Sequence, residues 1–383
     1  VGVVAQREVF LSDQRRQIDV WPDNPMGWGS EHITERFQWT YPIVFSPADK
    51  KTIYVSSQHL WRTTNQGQSW QRISPDLTRH DPKTMVASGG PVTKDNTGVE
   101  TYAVIFTIAP SHQDVDTIWT GSDDGLVHVT QDGGKTWANV TPPGLPDFAR
   151  ISLIETSPHG NGAAYVAANR YQMDDQRPYL FKTADFGKTW TKIVTGIPAT
   201  DFARTIREDP KRRGLLYLGT EHGLYVSFND GAQWQPLQLN LPDTSVQGVQ
   251  VAEDDLVIGT HGRGFYVLDD ISILRQATPT LTTEALHLFD PLDALRGRDA
   301  TLRIDYYLGR DADLVTVDFL DSRGQVIRSL KGDAKEPRKE LTAEEQLMEM
   351  FLGPTPRVSF KKGLNRLNWD LRYEGSVVFP GMI

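Results

Sequence analysis

An eight-residue segment recurs in this chain, and a repeated turn restricts the fold more than any other feature of the sequence. It reads Thr130-Gln131-Asp132-Gly133-Gly134-Lys135-Thr136-Trp137 and returns as Thr183-Ala184-Asp185-Phe186-Gly187-Lys188-Thr189-Trp190. Looser copies are Thr63-Thr64-Asn65-Gln66-Gly67-Gln68-Ser69-Trp70 and Ser227-Phe228-Asn229-Asp230-Gly231-Ala232-Gln233-Trp234. The shared residues suit a turn. Asn65, Asp132, Asp185 and Asn229 can accept from backbone N–H groups ahead of them. Gly67, Gly134, Gly187 and Gly231 tolerate positive φ. Trp70, Trp137, Trp190 and Trp234 would start the next strand and supply a large buried surface.

The surroundings repeat as well. Upstream of each copy lie two β-rich runs, such as Ala164-Tyr165-Val166-Ala167 and Tyr179-Leu180-Phe181. Ahead of these a further strand ends in Pro, at Ser46-Pro47, Ala109-Pro110, Ser157-Pro158 and Asp209-Pro210. The unit is four strands with the octapeptide between the third and fourth. Repeats of four short strands predict an all-β fold, a β-propeller.

The octapeptide resembles the Asp-box, or BNR repeat, of sialidases, xyloglucanases and sortilin-type receptors. The wider wording is similar to bacterial sortilin-like propeller proteins labelled glycosyl hydrolases. Phe37-Gln38-Trp39-Thr40, Ser74-Pro75-Asp76-Leu77-Thr78 and Gly259-Thr260-His261-Gly262-Arg263-Gly264 carry that likeness, which covers roughly residues 30–275. The resemblance implies an exported protein, extracellular or periplasmic. It speaks for the architecture more than the activity, because such turns are scaffold in enzymes and non-enzymes alike.

Along the chain, residues 1–275 read as propeller blades, 276–299 as a connector and 300–383 as part of an immunoglobulin- or fibronectin-like β-sandwich. Glu8–Asp13 and Gln17–Trp21 read as strands three and four of a blade whose first two strands are missing, or as an ordinary N-terminal hairpin. On the first reading further blades precede Val1, and no signal peptide is visible. Complete blades occupy 37–73, 102–142, 148–195 and 202–239. A fifth, at 246–270, loses its octapeptide at Asp269-Asp270. In the last segment Thr342–Phe351 reads as a short helix capped by Thr342. The strands up to Ile383 are too few for a whole sandwich.

Composition excludes several classes. The net charge of −9 argues against nucleic acid. No apolar run is long enough for a transmembrane helix. With no cysteine there are neither disulfides nor thiolate metal sites. The histidines are too dispersed for a metal site, and no phosphate-binding glycine loop opens a helix. No cofactor is expected.

In a propeller the octapeptides share one face with the one-to-two loops. The two-to-three turns and blade connections form the other face, where ligands usually bind. Asp132 and Asp185 are therefore scaffold. The second face carries Asp123, Asp124 and Glu221, weak candidates for the paired carboxylates of glycoside hydrolysis, although loop polarity alone explains acids in turns. Arg150 and Arg204, in the matching connections Asp147-Phe148-Ala149-Arg150 and Asp201-Phe202-Ala203-Arg204, could bind a ligand carboxylate through their forks, or pair with Asp147 and Asp201. His222, His261 and Arg263 complete the ligand-binding candidates. There is neither a full arginine triad nor an Arg-Ile-Pro motif, which counts against sialidase activity, and no catalytic motif stands out.

The leading reading is a recognition module binding a glycan or protein on the channel face. A glycoside hydrolase and a structural assembly subunit are the alternatives. Carboxylates at glycosidase separation, an aromatic-lined face or a large apolar patch would tell the three apart.

Overall fold

The computed structural model describes residues 6–9, 14–23, 25–89, 92–294, 301–335, 346, 350 and 356–373. The chain forms two compact units, Val1–Asp269 and Asp270–Ile383.

The first unit holds four consecutive four-stranded antiparallel meanders. Blade one is Ile43–Phe45, Ile53–Ser56, Leu60–Thr63 and Gln71–Arg72. Blade two is Ile105–Pro110, Ile118–Ser122, Val127–Thr130 and Ala138–Asn139. Blade three is Arg150–Thr156, Ala164–Arg170, Asp175–Thr183 and Thr191–Lys192. Blade four is Ala203–Glu208, Leu216–Thr220, Leu224–Ser227 and Gln235–Pro236. A fifth sheet, Val246–Ala252, Asp255–Thr260 and Phe265–Leu268, has three strands.

The first strands of blades two to five lie side by side and are innermost. Successive residues of a strand point to opposite faces, so one blade supplies two cores. In blade three, Val166 and Ala168 pack with Trp119 and Val129 of blade two, while Tyr165 and Ala167 pack with Ile206, Leu216 and Leu218 of blade four. The hydrophobic core is thus a series of layers between neighbouring sheets.

The octapeptide closes through its own side chains. Thr183 Oγ1 donates to Asp185 Oδ1 (2.8 Å) and accepts from the Gly187 N–H (3.0 Å). Asp185 accepts from the Thr189 N–H (2.9 Å) and hydroxyl (2.6 Å). Thr130, Asp132, Gly134 and Thr136 repeat the set. Asn65 and Asn229 make the same backbone contact, to Ser69 and Gln233. Each tryptophan precedes the fourth strand rather than starting it. Its Nε1 donates to a backbone carbonyl one blade earlier: Trp70 to Ile18 (2.9 Å), Trp137 to Ile73 (3.0 Å), Trp190 to Val140 (2.8 Å) and Trp234 to Ile193 (2.7 Å). The motif glycines lie against those same four residues. The octapeptide is therefore a turn and an inter-blade clasp at once.

Hydrogen bonds to Thr189 and Thr136 hold the Asp185 and Asp132 carboxyls down to about 2. The ionised forms favour the fold above the ordinary carboxylate pKa, and that contribution is lost as pH falls through about 2. The double variant Asp132→Asn/Asp185→Asn, which copies Asn65 and Asn229, should flatten the acid limb of stability between pH 4 and 2 by lowering the stability above it, because the amide keeps the backbone bond and loses the charge. Thermal melts across that range check this. An unchanged acid limb would remove these turns as its source.

Two register details differ from the sequence reading. Ser46, Ser111, Ser157 and Asp209 occupy equivalent places, each N–H bonded to the carbonyl that opens the next strand. Pro110 is thus the last residue of its strand and His112, not Pro110, matches Pro47, Pro158 and Pro210. The N-terminal hairpin pairs Gln6–Val9 with Gln14–Gln17 rather than with 17–21, and its turn at 10–13 lies outside the described residues. Ile18 then meets Trp70 as Ile73 meets Trp137.

In the second unit, Leu286–Leu288, Leu302–Leu308 and Gly363–Trp369 form one sheet and Leu314–Leu320 with Val326–Asp333 a hairpin. They share a core of Ile304, Tyr306, Leu367 and Trp369 against Phe319 and Leu330, with the Phe319 and Trp369 rings stacked at 4.0 Å. The strand at 286–288 belongs to this sheet although the sequence places it in a connector. The helix expected at 342–351 lies, apart from Gln346 and Met350, outside the described residues.

Candidate functional site

Backbone bonds define the two ends of the blades. At one end the octapeptide N–H groups of Gly133, Phe186 and Asp230 donate to the one-to-two loops at Asp116, Gly162 and Gly214. At the other, the two-to-three turns dock on the connections: Asp123 N–H to Val104, Glu221 N–H to Phe202 and His261 N–H to Ser245. The second end carries a ladder of arginines and aromatic rings across blades two to four.

Arg150 opens the first strand of blade three, with its guanidinium 4.9 Å from the Phe106 ring and 5.4 Å from the Tyr171 ring. Tyr171 follows the second strand in a single helical turn closed by Asp174 at φ 60°. Its ring stacks on Phe202 (4.8 Å, 10° between planes), and Arg204 lies 4.6 Å from both. Glu221 grips Arg204 with one oxygen, at 3.0 and 2.7 Å from Nε and Nη2. Burial pushes the Tyr171 phenol up, but Arg150 and Arg204 together outweigh it and the net shift is downward.

The two arginines differ in what neutralises them. Among the described residues Arg204 has a carboxylate partner and Arg150 has none. Arg150 Nη2 reaches Asn169 Oδ1 and Tyr171 Oη only at 3.5 Å, and its buried Nε has no partner. Neither arginine pairs with the acid of its own connection. Asp147 binds Arg79 at 2.9 Å, and Asp201 accepts from Thr220 Oγ1, the His222 N–H and Tyr225 Oη.

The acids are bound into the scaffold. Asp123, 4% exposed, receives the Val104 N–H at 2.9 Å, and its Oδ2 has no partner. Burial first, then the Asp124 charge, lift its carboxyl well above the usual range against the pull of the Val104 N–H, Arg150 and Arg36. Asp124 accepts from Ser122 Oγ (2.6 Å) and the Arg79 N–H (2.8 Å), and burial raises it too. His222 pairs with Asp243 at 3.0 Å, and that bond raises its pKa. His261 and Arg263 sit exposed in the turn of the fifth sheet. Among the described residues no bond or ring contact joins His222, His261 or Arg263 to the ladder.

Other groups at this end were not singled out in the sequence. Arg36, 2% exposed, donates to the Ala103 carbonyl (2.9 Å) and to Asp76 (2.8 Å), the acid of the Ser-Pro-Asp-Leu-Thr segment. Phe106 and Tyr171 complete the ladder. A cavity of about 440 Å³ lies between the first strands, lined by Val44, Phe45, Ile108 and Ser152 among others. Glu155 and Arg207, equivalent residues of neighbouring blades, form an ion pair of 2.6 Å in its wall. Among the described residues no cluster of His, Asp or Glu is placed to hold a metal, and no helix is long and apolar enough to cross a membrane.

With this geometry in hand, the chain can be set beside known proteins. No protein-family model matches it. Vacuolar protein sorting/targeting protein 10 of Laccaria bicolor is 34% identical over 106 residues, 27% of this chain and 6% of that protein. The chain is similar to a sortilin-like propeller. Among solved structures, an ancestral GH74 enzyme matches 81% of the chain and 40% of its own length at 14% identity (TM-score 0.44). The GH74 xyloglucanase from Xanthomonas campestris matches 78% and 52% at 17% identity (TM-score 0.42). YCF48 bound to a D1 peptide matches 88% and 96% at 15% identity (TM-score 0.38). The chain thus spans well under two thirds of the curated relative and of both GH74 structures.

Proposed function

We propose that this chain is the recognition part of an exported Asp-box propeller protein of the sortilin-like kind, and that its channel face binds an anionic glycan. Arg150 carries the reading. It is a cation held between two aromatic faces, without an ion-paired carboxylate, beside Arg204, which has one. A guanidinium fork suits a sugar carboxylate or sulfate, and the flanking rings suit the apolar side of a sugar.

A glycan array of acidic and neutral oligosaccharides, with hydrolysis products followed in parallel, tests it. Arg150→Met should weaken binding of acidic glycans roughly 10- to 100-fold, the scale of a hydrogen bond to a charged group. Arg213→Met, on a one-to-two loop at the other end, should leave binding unchanged. Equal loss in both variants, or no binding of acidic glycans, would overturn the proposal. Binding of a protein ligand alone would favour an assembly role.

One observation favours the glycoside hydrolase as a second reading. Burial lifts the Asp123 carboxyl above its ordinary range, the direction in which a general acid is shifted. Product release that is lost in Asp123→Asn would select the hydrolase. Binding without turnover would select the recognition module.

A further inference from the structure

Trp39 is 65% exposed, yet its indole is held in place. Its Nε1 donates to Glu100 Oε1 at 3.3 Å. The backbone beneath is fastened to the entry of blade two. Gln38 and Glu100 form a β-bridge, and Gln38 Nε2 donates to the Thr101 carbonyl at 3.0 Å. Gln38 Oε1 accepts from the Trp39 N–H at 3.0 Å, and Thr101 Oγ1 donates to the Phe37 carbonyl. Fixing a large exposed ring costs rotamer entropy and buries little apolar area, so folding stability does not account for it. One residue further on, Thr40 lines the central cavity, as do Pro42 and Phe45.

We infer that Trp39 and Glu100 form a neutral-sugar subsite, in which a pyranose ring lays its C–H face on the indole while Glu100 accepts hydrogen bonds from its hydroxyls. The chemistry of the pair selects this occupant. The indole face is electron-rich and attracts polarised C–H groups. Glu100 is exposed and accepts only, so it suits hydroxyl donors and repels an anion. No second ring stacks on Trp39 among the described residues, so this is a platform rather than the cage that encloses a quaternary cation. A platform fixed before the ligand arrives loses less entropy on binding. The subsite rests on the reading of this end of the blades as a glycan-binding face, but it is chemically distinct from Arg150 and can be tested apart from it.

The test is ¹⁹F NMR of the full chain labelled with 5-fluorotryptophan. The Trp39 line is the one absent from the Trp39→Phe variant. It is followed during titration with neutral cello-, xylo-, manno- and malto-oligosaccharides, and separately with tetramethylammonium chloride. The expected result is a saturable shift of that line with at least one neutral oligosaccharide. Trp39→Ala should weaken the same binding by roughly tenfold or more, the scale of truncating an aromatic anchor, with an unchanged circular dichroism spectrum. Trp39→Phe should fall between, and Arg213→Met, at the other end of the blades, should leave the neutral titration unaltered. A line that no neutral oligosaccharide moves, or that responds only to tetramethylammonium, overturns the subsite. If acidic glycans still bind through Arg150 in that case, the proposed function stands without it. If neutral sugars move Trp39 and no acidic glycan binds, the Arg150 reading falls and the subsite remains.

Discussion

Replacing Gly187 by alanine should destabilise the first unit by about 2–5 kcal/mol, the sum of a left-handed backbone penalty and an overpacked contact. Gly187 has φ +78°, and a Cβ built on it falls 2.6 Å from Val140 Cβ on the preceding blade. Neither side can give way. Val140 is β-branched, and the Gly187 backbone is fixed by the Thr183 hydroxyl. Gly144 is the control. It also has positive φ (+84°), but open space surrounds it, so Gly144→Ala should cost only about 1–2 kcal/mol. Urea denaturation followed by tryptophan fluorescence compares the two. Equal shifts would mean that conformation alone, and not the close approach between blades, requires glycine at the clasp.

Trp234→Ala should cost about 3–5 kcal/mol, the range for truncating a buried tryptophan. Trp234 is 1% exposed, packs with Ile193, Ile206 and Leu218, and bonds the Ile193 carbonyl. Trp234→Phe keeps most of the ring and loses the bond, so it should cost about 1–3 kcal/mol by leaving a carbonyl without its donor. Trp190→Ala should be milder than Trp234→Ala, because Trp190 is only partly buried. The same denaturation curves rank the three. A Trp234→Phe variant as stable as the parent would make packing, and not the bond to the neighbouring blade, the whole contribution of this residue.

The scaffold was legible because its determinants are local. Asp185 closes its turn with residues two before and four after it, so the motif contains its own explanation. The register of blade two was less legible, since a proline at Pro110 imitates the Ser-Pro wording and only the bond from Ser111 to Thr117 reveals the offset. The site was harder still. Arg150 and Arg204 stand in matching words of the sequence, but the sheet register sets them two residues apart: Ile151 pairs with Ala168 as Ala203 pairs with Thr220, so Arg150 matches Phe202 and Arg204 matches Ser152. Their surroundings differ accordingly, with Glu221 on Arg204 and Tyr171 and Asn169 beside Arg150. Glu155 and Arg207 occupy equivalent positions but carry opposite charges, and nothing local signals that they meet. Trp39 belongs to a quoted family phrase, but its partner Glu100 lies 61 positions away.

The tryptophan clasps have a direction. In all four the donor indole belongs to the later blade and the acceptor carbonyl to the segment before it. A ribosome delivers this chain from its N-terminus, and domains generally fold in the order they are made. Each clasp therefore closes when the later blade emerges, and it joins that blade to chain already made. The layered core grows the same way, since the face that one blade turns to the next is covered only when that next blade arrives. One hydrogen bond per repeat thus ties the propeller together as it is laid down, like courses of brick, each seated on the last.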